Sequence, residues 1–325
     1  MLGKTNKMQS AFDSLRKPAL IAAFFATALL VLPVFAAETP ASAETPPAEN
    51  NFSTFDAILL GVVEGITEYL PVSSTGHLLF LQKMLGLAET EQAEAAADSY
   101  AIIIQSGAIL AVLGLYFKRV RQVSVGMFTG DPGRQIGINL IIAFLPAAIV
   151  GLLLQSTIKS VLFGPWPIVV AWLAGGIVIL AWKRHPDKKA SPADTILETM
   201  TARQALIIGL IQCIAMWPGV SRSLATILGG LLVGLPLVAA VEFSFLLGGI
   251  TLGAATVYEL VVHGSIVLEA YDPATAFVGF LFSLISAAIA VKWLVTYLKT
   301  HSMAIFGYYR IGLAIAAAAY LLWVA

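Results

Sequence analysis

Charge is what this chain has least of. Only 12% of its 325 residues are Asp, Glu, Lys or Arg, against 58% hydrophobic residues and a mean hydropathy of +0.87. So sparse a charged surface excludes a soluble globular domain and leaves a polytopic membrane protein. Cysteine is nearly absent: Cys213 stands alone, which rules out an intramolecular disulfide, and its apolar flanks make it a buried, inert thiol. Net charge is missing as well, 19 basic residues balancing 19 acidic ones, so the total says nothing about nucleic acid and only the placement of the basic residues informs.

Lys4, Lys7, Arg16 and Lys17 precede an apolar run from Ala19 to Phe35, followed by small residues and ETPASAETPPAEN. This is the layout of a signal peptide or N-terminal anchor over 1–36, with a cleaved signal favoured, and a flexible linker over 37–51. Residues 52–325 read as one membrane domain. Apolar segments near 99–117, 136–154, 166–182, 237–262, 276–298 and 304–324 are each close to the ~20 residues that cross a bilayer. Two further stretches, 52–87 and 204–235, are broken in the middle by Pro, Gly and Ser and read as helix, polar turn, helix.

One basic loop holds Lys118, Arg119, Arg121 and Arg134, and another holds Lys183, Arg184, Lys188, Lys189 and Arg203; both are expected on the cytoplasmic side. Counting from them, the acidic loop with Glu89, Glu91, Glu94 and Asp98 falls outside. Stretch 52–87 then enters and leaves externally, and 204–235 enters and leaves cytoplasmically. Their short halves favour re-entrant hairpins over complete spans. The fold expected is therefore all-α and polytopic, with six transmembrane helices plus two opposed re-entrant helix hairpins.

A shift of 148 residues lays the second broken stretch on the first without a gap. Gly61 falls on Gly209, Glu64 on Gln212, Tyr69 on Trp217 and Ser73 on Ser221, while Ser74 meets Arg222 and Thr75 meets Ser223. Together with opposite entry sides, the match implies an inverted-topology repeat, about 52–154 and 204–298, whose broken helices meet near the bilayer midplane, where such folds hold their ligand.

The chemistry is concentrated in EGITEYLPVSSTGHL, residues 64–78, and WPGVSRSLAT, residues 217–226. Glu64 and Glu68 are four apart and share a helix face; a central acidic residue costs roughly 2.5–3.5 kcal/mol to place in a membrane, so the pair needs a cation, a cavity or a partner. A hard divalent ion such as Mg2+ would relieve their repulsion and hold phosphate oxygens; the plainer alternative is a pair satisfied by Arg222 or by helix-end amides. Arg222, in a turn with Ser221, Ser223 and Thr226, needs an anion, either one of those carboxylates or a ligand phosphate. His77 follows Ser74 by three residues and can exchange a proton with a hydroxyl, or else bond a backbone carbonyl while Ser74 caps a helix. Gln105, within IIIQSGAILAV, either lines the site or packs helices, Glu242 is an intramembrane acid with no obvious partner, and Arg310 is expected to snorkel at the start of the last span. His185, His263 and His301 lie at span ends, at the interface.

These two motifs, with IIIQSGAILAV and EFSFLLGGITLGA, resemble the undecaprenyl-diphosphate phosphatase, or bacitracin-resistance, family over about residues 53–325. The resemblance implies hydrolysis of undecaprenyl diphosphate to the monophosphate and phosphate, and an extracytoplasmic-facing site in a bacterial inner membrane. It also implies dependence on a divalent metal, Mg2+ or Ca2+, and allows a homodimer. Carried onto this sequence, the catalytic set is Glu64, Glu68, Ser74, His77 and Arg222, with both glutamates as metal ligands. Ser73, Thr75, Ser221, Ser223, Thr226 and Gln105 bind phosphate. Attack by Ser74 with His77 as base or acid is favoured over attack by a metal-held water. Leu224 stands where the family's motif more usually has glycine, a departure that bears on packing behind Arg222. The competing class is a carrier or flippase for polyprenyl phosphate, which has no use for the Glu, Glu, Ser, His set. A type-2 phosphatidic acid phosphatase is disfavoured because no second histidine follows the arginine motif at suitable spacing and no upstream basic motif is evident.

Overall fold

The computed structural model describes residues 52–130, 132–182 and 197–324. The expected signal and linker, and the basic residues Lys183, Arg184, Lys188 and Lys189 with His185, lie outside the described residues.

Among the described residues there are helices and no strands. In chain order they are α1 Thr54–Thr67, α2 Ser74–Met84, α3 Glu91–Leu115, α4 Phe117–Thr129, α5 Pro132–Leu162, α6 Pro165–Trp182, α7 Ala202–Gln212, α8 Arg222–Leu232, α9 Leu237–Ala270, α10 Pro273–Leu298 and α11 Ala304–Val324, with a short 3-10 turn, Cys213–Met216, after α7. Among the described residues six stretches are long and apolar enough to cross a membrane: Gln92–Leu115, Pro132–Leu154, Pro165–Trp182, Leu237–Glu259, Pro273–Leu298 and Ala304–Trp323. They are the six spans read from the sequence. Their outer surface is itself apolar, with Leu153 75% and Trp323 84% exposed, an arrangement that lipid accepts and water does not. The chain is a multi-pass membrane protein.

The two broken stretches repeat their local structure at the same offset of 148. Ser53 caps α1 in a box with Asp56, and Thr201 caps α7 in a box with Gln204. Next comes a serine with positive φ, Ser73 at 73° and Ser221 at 79°, and then a second helix beginning at Ser74 or Arg222. α1 packs on α10 and α7 on α5, and the matched Gly61 and Gly209 sit where any β-carbon would run into the backbone of Gly279 or Ala143. α3 and α9 pack on each other between these pairs, while α6 and α11 form a pair of their own.

The first basic loop is not a loop. Residues 117–129 form α4, because Val120, Val123 and Gly126 recur on one face and are buried, and Gly130 in the left-handed region closes the helix. This helix supplies the partner that Glu242 lacked in the sequence. Arg119 Nε donates to Glu242 Oε1 at 2.5 Å, and its Nη1 donates to Glu198 Oε1 at 2.6 Å and Gln122 Oε1 at 2.7 Å. All three charges are largely buried. Removing Arg119 strands two carboxylates, whereas removing Glu242 leaves Arg119 paired with Glu198. Arg119→Met is therefore expected to cost about 3–5 kcal/mol and Glu242→Leu distinctly less, as read from thermal unfolding of the purified protein.

Candidate active site

Glu64 lies in the last turn of α1 and Glu68 caps its end, so their i,i+4 spacing projects both into one wall; both are buried, at 1% and 6% exposure. The chain then turns through Tyr69–Val72 to Ser73, the N-cap of α2, whose Oγ accepts from Gly76 N at 3.5 Å. In the other copy Ser221 caps α8 and accepts from Leu224 N at 3.2 Å. A serine suits both positions because its short hydroxyl takes up a free amide of the first helical turn. Each is held in a left-handed conformation that costs a non-glycine residue on the order of 1–3 kcal/mol, so the surroundings must enforce it.

Glu68 joins the two copies. Its Oε1 accepts from Arg222 Nη2 at 3.0 Å, and its Oε2 accepts a short bond from the Ser74 hydroxyl. Arg222 also donates from Nη1 to Ser244 O at 2.9 Å and lies 5.2 Å from the centre of the Tyr69 ring, while its Nε is buried with no partner. Gly248, one turn after Ser244 on α9, leaves the socket in which the guanidinium lies, since a β-carbon there would occupy the same space. Ser223 Oγ donates to Leu70 O at 2.9 Å and contacts Ser221 Oγ at 2.9 Å, tying the start of α8 to the first turn. Thr226 Oγ1 donates to Arg222 O at 2.9 Å and contacts Ser244 Oγ at 2.6 Å.

A cavity of about 570 Å³ opens over this cluster. Of the residues singled out in the sequence, Glu64, Glu68, Ser73, Ser74, Thr75, Gln105, Ser221 and Arg222 line it. Ser223, Thr226 and His77 do not. The Thr226 hydroxyl bonds the Arg222 carbonyl, and that of Ser223 ties the start of α8 to Leu70. His77 faces the other way: its Nδ1 is 2.6 Å from Ser73 O, which can only accept, so Nδ1 carries the proton and Nε2 accepts from the Tyr309 hydroxyl at 2.8 Å. Its ring stacks on Tyr309 and lies against Trp172, so in this structure Ser74 is paired with Glu68 rather than with His77. Leu224 is buried in the main apolar core, where its side chain takes a place beside the Ser221 cap.

Three contributors were not legible as site residues. Ser244 and Gly248 belong to the EFSFLLGG stretch, and only the small residues in an otherwise apolar run marked them. Gln212, at the position matching Glu64, lines the cavity with Thr251, whose hydroxyl donates to Gln212 Oε1 at 3.4 Å. Its match to Glu64 was the signal.

Whether these residues suit a divalent metal turns on Glu64. Its Oε1 is buried without a hydrogen-bond partner, which is what a hard cation with oxygen ligands would take up, and Glu68 would be the second carboxylate. No group of three or more His, Cys, Asp or Glu converges among the described residues, so substrate oxygens and water would have to complete the shell.

The chain matches the family described as bacitracin resistance protein BacA over residues 57–316. It is 46% identical over 265 residues to an undecaprenyl-diphosphatase of Sorangium cellulosum, covering 80% of this chain and 83% of that protein. It is 42% identical over 257 residues to undecaprenyl-diphosphatase 1 of Chromobacterium violaceum, 79% of this chain and 92% of that one. To an undecaprenyl-diphosphatase of Acidovorax ebreus it is 43% identical over 255 residues, 78% and 90% of the two chains.

Gly248→Ala adds one methyl group directly against the Arg222 guanidinium. This variant and Arg222→Ala are each expected to weaken binding of inorganic pyrophosphate by about tenfold or more in a titration calorimetry measurement.

Proposed function

The chain belongs to the bacitracin resistance protein BacA family, and on that premise we propose that it hydrolyses undecaprenyl diphosphate to undecaprenyl phosphate and inorganic phosphate. The reaction returns the carrier lipid to cell-wall synthesis and gives resistance to bacitracin. The observation that carries the reading is Glu68, bonded at once to a hydroxyl of one copy and a guanidinium of the other beneath the cavity.

In this reading Arg222 turns from Glu68 to the diphosphate, which it grips through its paired N–H groups, with the unpartnered Nε adding a further donor. Glu68, released from the ion pair, keeps the Ser74 hydroxyl as its donor and takes that proton as Ser74 Oγ attacks the terminal phosphorus. The bond from phosphorus to the bridging oxygen breaks, and its electron pair leaves with undecaprenyl phosphate. Glu68 passes the proton it has taken to the departing undecaprenyl phosphate; water then attacks the phosphorylated serine, giving its proton to the freed Glu68 carboxylate, which returns it to Ser74 Oγ as inorganic phosphate departs. Charge building on the transferred group is met by Arg222 and by the amide ends of α2 and α8, which begin at the site. A divalent metal held by Glu64 and Glu68 would supply charge neutralisation on the phosphate oxygens. His77 acts from behind, holding Ser73 O and with it the start of α2.

The broken helices are read as re-entrant hairpins of opposite orientation, within a catalytic unit of 52–325. The rim of the cavity carries Asp98, Lys159 and Glu259, at the N-terminal end of the α3 span and beyond or at the C-terminal ends of those in α5 and α9. Arg119 lies at the opposite ends, so the basic-side rule turns the cavity to the extracytoplasmic face of the inner membrane. A carrier of polyprenyl phosphate is the second reading, since Arg222 would serve it equally, but it has no use for a serine hydroxyl bonded to a buried carboxylate.

Phosphate release from undecaprenyl diphosphate by the purified protein tests the reading. Ser74→Ala and Glu68→Gln are expected to lower it by roughly 10²–10⁴-fold, and His77→Gln by no more than about tenfold. Chelation is expected to lower it too, with recovery on adding Mg2+ or Ca2+. Binding of the lipid without any phosphate release, whatever the metal, would move the assignment to the carrier. For the orientation, in a Cys213→Ala background a membrane-impermeant thiol reagent should label Gln92→Cys in intact cells and leave Asp187→Cys unlabelled; the reverse pattern would invert the topology.

A further inference from the structure

Arg310 is fully buried, at 0% exposure, and nothing in the reaction above uses it. It does not snorkel. From α11 its guanidinium reaches backbone alone: Nη1 donates to Pro71 O at 3.2 Å, Nη2 to Gly219 O at 2.7 Å and Ala171 O at 2.9 Å, and Nε to Trp172 O at 3.4 Å. No carboxylate pairs with it among the described residues. Pro71 and Gly219 are 148 apart and hold the same place in the two copies, each two residues before its left-handed serine. One side chain therefore spans both turns and fastens them to α6. The adjoining Tyr309 reaches the first turn as well, through His77 and Ser73 O.

A cation buried without a counter-ion is an expensive way to hold backbone together. An apolar side chain of similar volume would leave the Pro71 and Gly219 carbonyls without a donor, so the guanidinium answers a need of these two turns in particular. What the guanidinium adds is geometry, a rigid planar fork whose directions fix the carbonyls that it bonds. Ser74 follows Pro71 by three residues and Arg222 follows Gly219 by three, so fixing the two carbonyls fixes the hydroxyl against the phosphate clamp. We infer that Arg310 is a positioning residue that sets the separation of the two catalytic turns, an inference that rests on the hydrolytic reading above.

Two variants test it differently. Arg310→Lys keeps a cation but cannot bond four carbonyls in one plane. Gly175→Ala leaves Arg310 intact and places a β-carbon on its guanidinium, which must shift. For phosphate release from undecaprenyl diphosphate, each is expected to lower kcat per folded molecule by about a hundredfold, with KM changed by less than about threefold, as a misplacement near 1 Å does. Folded protein is counted by size-exclusion chromatography and thermal unfolding. Variants that fold and keep the wild-type kcat overturn the inference and leave the hydrolase reading standing; variants that cannot be recovered folded make Arg310 a scaffold and overturn it equally. A wild-type protein that releases no phosphate fails the hydrolase reading instead, before any variant is compared.

Discussion

The ion pair between Glu68 and Arg222 is the contact on which the site depends. Inside a membrane neither charge has water to fall back on, so each must be met by protein. They meet each other, and the remaining capacity of each goes to groups that matter: Glu68 to the Ser74 hydroxyl, Arg222 to the carbonyl of Ser244 and the face of Tyr69. Because the partners come from different copies of the repeat, neither broken helix is complete alone. Gly248 of α9 and the hydroxyls of Ser223 and Thr226 then follow as conditions for one guanidinium to lie in one place.

The pairing is also exchangeable. A bidentate cation bound to a single carboxylate is poised to take a better anion, and a carboxylate so released is left beside a hydroxyl. In the proposed reaction substrate arrival would convert this ion pair into a clamp and a base without a large rearrangement, with the buried Glu64 oxygen nearby as the place where a cation would matter.

Much of this was legible in the sequence, for different reasons in different places. The six spans were, because an apolar run of about twenty residues has few other uses. The two broken helices were, because proline, glycine and serine in the middle of such runs leave local marks, and the matched Ser73 and Ser221 share an unusual backbone as well as an identity. Partners distant in the chain were not legible. Glu242 looked unpaired because Arg119 lies over a hundred residues away on a helix read as a loop. Arg310 looked like an interfacial residue because its position near a span end says nothing about four carbonyls from three other segments. His77 beside Ser74 suggested contact, yet on α2 a separation of three places the imidazole by the Ser73 carbonyl and Tyr309 while the serine turns to the cavity. Proximity along the chain was the weaker guide, since both residues are claimed by other elements.

The matched positions hold unlike chemistry: Glu64 answers to Gln212, and Ser74 answers to Arg222. Each pair occupies one slot of a shared backbone plan, so the two broken stretches present complementary side chains on like geometry. Two identical first copies would set carboxylate against carboxylate, and two second copies would set arginine against arginine, with no nucleophile between them. With unlike residues in these slots neither stretch can stand in for the other, and their place in one chain gives every molecule one of each.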